Sequence, residues 1–312
     1  MPKTPPLVTL AFVTVSIAWG TTYAGIHVAV ESLPPLQLAA VRFMLAGAVL
    51  LLALRACGIP FPARRDWPRL ALVGCLLLTG ANSLIGWSSQ YLPSVLISLL
   101  VNLGPLVYVA LARLTGECVH ARAWLGLGVG VAGLLVLMAP RLGELGQPTH
   151  LTDPHFWPAV GAILLAPFLW SGGSLFAARF PPRCHPLMTA AAQSLAGGIG
   201  ALVLALFSGE MRALPLVTTR SWLAVAWLVV VGSWLGYVSY IYCVLKLPSA
   251  RVAVTTYLNT LTALICGWLV LGERLAPATV AGGVIMLLGI ALAQSAPTPH
   301  PPAADENPQV EA

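Results

Sequence analysis

Carboxylates are almost missing from this chain. Aspartate and glutamate total ten in 312 residues, and none falls inside an apolar run away from its ends. Paired intramembrane aspartates are thereby excluded as catalysts, and a proton relay through buried titratable groups has only His27 left to use. The six histidines are dispersed and form no HExxH, which excludes a zinc peptidase. Cysteine is equally spare: Cys57, Cys75, Cys118, Cys184, Cys243 and Cys266 include no CxxC pair, which argues against a disulfide framework and a zinc site. Neither a metal nor a cofactor is expected, and the chain does not read as an enzyme. Charged residues of both signs make up only 8%, too few to clothe a soluble surface. The apolar runs do not alternate with polar residues, which excludes a transmembrane β-barrel. No basic run is dense enough for nucleic acid.

What remains is hydrocarbon. Hydrophobic residues are 58% of the chain and mean hydropathy is +0.86. A spanning helix needs about 20 predominantly apolar residues, and ten segments qualify, at about 7–28, 36–54, 70–89, 93–114, 123–139, 157–178, 187–207, 222–243, 248–271 and 276–294. The expected fold is all-α and integral to a membrane. The first segment is too long for a secretory signal and lacks a small-x-small site before Glu31, so it reads as a retained anchor. With a cytoplasmic N-terminus, eleven basic residues (Lys3, Arg55, Arg64, Arg65, Arg69, Arg113, Arg122, Arg179, Arg183, Lys246 and Arg251) fall on the inner side. Only four (Arg141, Arg212, Arg220 and Arg274) fall outside, which favours both termini in the cytoplasm. The polar, proline-rich tail 296–312 is expected to be disordered.

The chain repeats itself. Trp19 and Trp170, Pro35 and Pro186, and Gly47 and Gly198 are each 151 positions apart. The offset becomes 155 for Trp67/Trp222 and Pro93/Pro248, then 156 for Gly116-Glu117/Gly272-Glu273, Gly126/Gly282 and Gly133/Gly289. Small loop insertions explain this ordered drift. The expected organisation is a short N-terminal tail at 1–6, a first repeat at 7–139, a linker at 140–155, a second repeat at 156–295 and the tail. Five spans per half is an odd number, so the second half enters from the opposite side and the ten helices form two inverted five-helix repeats. That arrangement suits a carrier, whose halves trade conformations around a central site. A passive channel or a membrane sensor or structural protein is the alternative.

The stretches IAWGTTYAGIHVAVESLPPLQLAAVRFMLAG and LVLGERLAPATVAGGVIMLLGIALA, with NLGP in the fourth span, resemble the drug/metabolite transporter superfamily. The likeness is to EamA-type carriers near the YedA-like branch and covers residues 7–295. The halves depart from each other in places: the counterpart of WGTTY is WSGGS, and Gln193 stands where the first half has Arg42. The resemblance implies a bacterial inner-membrane exporter of a small metabolite, such as an amino acid or a related amphipathic compound, working by alternating access. It also implies that spans 1, 3, 4, 6, 8 and 9 surround the cavity.

Polar and aromatic residues in those spans are the candidate substrate-binding groups. Trp19, Tyr23 and His27 share one helix face through their spacing of four, with Thr22 beside them; helix packing is the competing role. Asn82 and Asn102 lie in spans three and four, and Trp170 and Ser174 in span six. Tyr237 and Tyr240, three apart, share a face in span eight, as do Thr256 and Asn259 in span nine. Pro105 and Pro167 free the carbonyls of Val101 and Ile163 and mark candidate hinges. Spans five and ten show small-residue faces that close packing or homodimerisation would explain.

Arg42 is the one cation within a span. Insertion does not demand a partner: a central arginine costs about 2.5–3.5 kcal/mol, and the leucines, valines and phenylalanine around it each return about 0.3–0.6. The arginine lies about 10 Å along the helix from Pro35 at 1.5 Å per residue. The sequence reading pairs it with Glu31 as an outer gate, with capture of a substrate carboxylate and plain packing as the alternatives.

Overall fold

Proline and capping side chains set where the helices begin. The computed structural model describes residues 6–88, 91, 92, 97, 100–139, 154–212, 216–271 and 277–295. The side chains of Tyr23 and His27 lie outside this set. So do Glu273, Arg274, most of the linker and the C-terminal tail.

Helix α1 is Pro6–Val30 and α2 is Pro35–Ala56, with proline in the first turn of α2, where a missing N–H costs nothing. Helix α3 runs Trp67–Ser88; α4 is Gly104–Leu114 and α5 is Ala121–Met138. Helices α6 (Phe156–Arg179) and α7 (Pro186–Ser208) follow. Helix α8 is Thr219–Lys246. Helix α9 runs as Ser249–Ala253 and Thr255–Leu271, and α10 is Pro277–Gln294. His120, His185 and Thr218 each accept a backbone N–H at a helix start, so two of the dispersed histidines are caps. Among the described residues there is no strand.

By length and composition α2, α3, α6, α7 and α8 can each cross a membrane, and shorter apolar helices accompany them at Pro6–Thr22, Gly104–Leu114, Ala121–Leu137 and Val280–Ala293. Burial follows the same logic. Large apolar side chains such as Leu10, Leu52, Phe207 and Leu223 face outward, while Arg42, Gln193, Ser233 and Asn259 are buried. A soluble protein would reverse that arrangement.

Sequence counterparts pack on each other. Gly47 of α2 faces the backbone of Leu195 and Ala191 in α7, and its counterpart Gly198 faces Met44 and Phe43 in α2. Gly126 of α5 faces Gly289 and Ala293 of α10, and Gly133 faces Gly282 and Met286. The contacts are reciprocal: swapping each residue for its counterpart returns the other contact, which is the mark of a two-fold relation. In both pairs the partner number falls as the residue number rises, so the counterpart helices run antiparallel. The small-residue faces of spans five and ten are thus engaged within the chain.

A second regularity joins the halves. Within α3 the segment Cys75–Ala81 is a π-helix, and within α8 so is Leu228–Tyr237. These segments correspond to each other at the 155-residue offset. Each wide turn takes an extra residue and leaves carbonyls to be bonded from elsewhere.

Candidate functional site

The wide turn of α8 organises the centre. Its glycines supply room: a Cβ on Gly236 would strike the indole nitrogen of Trp19, and one on Gly232 would lie 2.5 Å from Nη2 of Arg42. Trp19 Nε1 donates to the Gly232 carbonyl at 3.0 Å. From α6, Trp170 meets Trp19 edge-on with ring centroids 5.4 Å apart. Tyr240 completes the group at 4.9 Å from Trp19 and 5.3 Å from Trp170. Such edge-to-face and tilted pairs add about 0.5–1.5 kcal/mol each beyond burial. Tyr240 is buried, but both indoles are only half-buried.

The polar edge of this cluster is already satisfied. Trp170 Nε1 donates to Tyr240 Oη at 2.7 Å, and Ser174 Oγ donates to the Trp170 carbonyl at 2.7 Å. Ser174 has one hydroxyl proton, so in the 2.8 Å contact between the hydroxyls Tyr240 donates to Ser174. The chain of bonds closes. The cluster therefore offers flat apolar faces and no spare donor.

Next to it lies the arginine. Arg42 Nε donates to Ser233 Oγ at 3.2 Å, and Ser233 donates onward to the Leu228 carbonyl at 3.3 Å, one of the acceptors released by the wide turn. The guanidinium also sits over the Phe43 ring, 4.7 Å from its centroid. Arg42 does not pair with Glu31. That carboxylate instead meets Arg220, 3.7 Å away at an exposed rim, because Arg42 turns inward to the groove that Gly232 leaves open.

Other expected site residues are placed apart. Tyr237 Oη donates to Gln193 Oε1 at 2.9 Å, so it points to α7 while Tyr240 points to α6. Asn102 accepts from Thr260 at 2.7 Å. Asn259, with its amide nitrogen toward two carbonyls, donates to Ser16 and Thr255 at 3.0 Å each, tying α9 to α1. Asn82 Nδ2 donates to the Leu77 carbonyl at 2.9 Å and thus satisfies the wide turn of α3. Thr22 donates to the Trp19 carbonyl of its own helix at 2.8 Å. Tyr23 belongs to α1, and its side chain is outside the described set.

The two prolines differ in effect. Pro167 lies inside the continuous helix α6. The fourth span is instead broken by a turn at Asn102 and Leu103, and Pro105 stands in the first turn of α4, where it interrupts no helical bond. A Cβ on Gly104 would lie 3.9 Å from Pro167 Cβ.

Sequence reasoning missed Ser233, Gly232, Gly236 and Thr260. The G-x-x-x-G spacing of Gly232 and Gly236 was the available signal for a close approach.

Against known proteins, a model described as the EamA-like transporter family matches residues 7–139 and 157–294. The chain belongs to the EamA-like transporter family. This EamA-like transporter is 32% identical to YedA, an uncharacterized inner membrane transporter of Escherichia coli (strain K12), over 83% of this chain and 81% of YedA. It is 26% identical to a probable terminal-alkyne amino-acid exporter of Streptantibioticus cattleyicolor, over 90% of this chain and 91% of that protein. A solved crystal structure with 21% identity superposes with a TM-score of 0.75, covering 93% of this chain and 97% of that one, and shares the fold.

Proposed function

We propose that this EamA-like transporter exports a small amphipathic metabolite, such as an amino acid or a related compound, from the bacterial cytoplasm by alternating access. In this reading ten spans form two inverted repeats, at 7–139 and 156–295, joined by the linker at 140–155. One observation supports it above the rest: Trp19 and Trp170, counterparts 151 positions apart in the two halves, meet at 5.4 Å beside Tyr240 of α8. A contact between equivalent residues lies on the two-fold relation, which is where a carrier keeps its substrate between rocking halves. The antiparallel packing of α2 on α7 and of α5 on α10 supports the inverted orientation. The likeness to the Streptantibioticus exporter supports an amino-acid-like substrate.

The test compares metabolites inside and outside cells with and without the protein, followed by flux of the accumulated compound in proteoliposomes. Saturable transport stimulated by substrate on the opposite side is expected. Conductance without saturation would point to a channel instead.

Orientation has its own check. Both termini are placed in the cytoplasm, which puts the exposed Cys57 and Cys118 on the inner side. An impermeant maleimide is expected to leave both unlabelled in intact cells and to label them after permeabilisation. An Arg220→Cys variant, at a side chain 70% exposed, should be labelled in intact cells. Burial raises the Cys184 thiol above its ordinary value, so its thiolate fraction is smaller and it should react last of the inner three. Labelling of Cys57 in intact cells would reverse the topology.

A further inference from the structure

We propose that Arg42 anchors the carboxylate of an anionic, amphipathic substrate whose apolar body lies against Trp19 and Trp170. This rests on the carrier reading above and narrows its substrate class.

The guanidinium carries five N–H donors, and its residue is 8% exposed. One donor is used, Nε to Ser233. Among the described residues the four N–H groups of Nη1 and Nη2 have no acceptor, and no carboxylate pairs with the side chain. The nearest acid in sequence, Glu31, is held at the rim by Arg220. A cation-π contact with Phe43 covers one face of the guanidinium and leaves its N–H edge unpaired. A buried cation without an anion is costly, and the terminal N–H pairs of arginine match a carboxylate in a planar fork.

Position joins this charge to the aromatic faces. Gly232 lies against Nη2 of Arg42 on one side, and its carbonyl takes the Trp19 indole on the other. A single residue of α8 therefore separates the cation from the Trp19 indole, which Trp170 meets edge-on. A carboxylate on Arg42 would place an attached apolar group beside Trp19 and Trp170, whose own donors are spent.

The charge balance selects further. A zwitterion would bring an ammonium into spans that contain no aspartate or glutamate away from their ends, so neutral carbonyls and aromatic faces alone could receive it and the Arg42 charge would stay unneutralised. A net anion leaves no such debt. The order of affinity is therefore carboxylate first, zwitterion second, and neutral amide or cation last.

The experiment titrates purified full-length protein in detergent with 3-phenylpropionate, phenylalanine, 3-phenylpropionamide and phenethylamine. Tryptophan fluorescence and thermal shift are the readouts. 3-Phenylpropionate is expected to bind at least tenfold tighter than its amide. Arg42→Gln, which installs the residue found at position 193, should erase that ratio, and Arg42→Lys should keep part of it. Equal binding of acid and amide by the unaltered protein, a preference that survives Arg42→Gln, or no response to any probe would each overturn the anchor. Proteoliposomes separate the two readings: an Arg42-dependent acid preference without counterflow supports the anchor and rejects the carrier.

Discussion

Replacing Trp170 by alanine is expected to leave membrane insertion near normal and to cut transport of the exported compound at least tenfold, mainly through a higher KM. The indole faces both Trp19 and Tyr240, and its Nε1 bonds Tyr240 Oη at 2.7 Å. Two aromatic pairs at about 0.5–1.5 kcal/mol each and one hydrogen bond at about 1 kcal/mol hold the Trp19 and Tyr240 rings in place, and losing a substrate contact surface worth about 1.4 kcal/mol is a tenfold change. The indole is only partly covered, so these groups position a surface that a substrate can still reach. Trp170→Phe keeps a ring and loses the N–H, and a drop of about threefold is expected. Measured transport with unchanged KM and rate in Trp170→Ala would remove the aromatic cluster from the substrate site. A fall in thermal stability with unchanged KM would assign Trp170 to packing alone.

A large loss of folded protein is expected at Gly47. A Cβ there would strike the backbone nitrogen of Leu195 and lie 2.7 Å from its Cα and 2.8 Å from the Ala191 carbonyl oxygen. Backbone atoms of a packed helix cannot turn aside as a side-chain tip can, so α2 and α7 must separate along their shared length. Overpacking costs typically about 1–3 kcal/mol, and Gly47→Val should reach or pass the upper end. Fluorescence-detected size exclusion is expected to show little monodisperse protein for Gly47→Val and an intermediate yield for Gly47→Ala. Gly161→Ala supplies the control, because nothing lies within 4 Å of its added Cβ. There alanine should be neutral or stabilising by up to about 1 kcal/mol, as expected when glycine leaves a helix interior. A normal yield of Gly47→Val would mean that α2 and α7 are not held at this contact.

Much of the architecture was written locally. Scarce charge and long apolar runs fix the solvent as lipid, because twenty apolar residues partition as a helix whatever their neighbours. The ordered offsets of Trp19/Trp170, Gly47/Gly198 and Gly126/Gly282 likewise marked corresponding positions. The glycines among them then proved to be the contacts between counterpart helices. Trp19, Trp170, Ser174 and Tyr240 could be named as candidates, because aromatic and hydroxyl groups in those spans are few.

Partner choice was not legible in the same way. Tyr237 and Tyr240 share a face of an ideal helix, yet they bond Gln193 and Trp170 on different neighbours. Three residues of α-helix at about 100° each leave the two side chains about 60° apart, enough to face different neighbours. Arg42 was matched by sequence proximity to Glu31, but side chains meet across helices according to how closely the backbones approach. The absence of a Cβ at Gly232 opens the inward path to Ser233, while Arg220 occupies the rim. Composition and period thus marked the apolar helices and the corresponding glycines that pack on one another. Helix approach, which depends on several segments at once, decided which polar groups satisfy one another and left the outer N–H groups of Arg42 without an acceptor among the described residues.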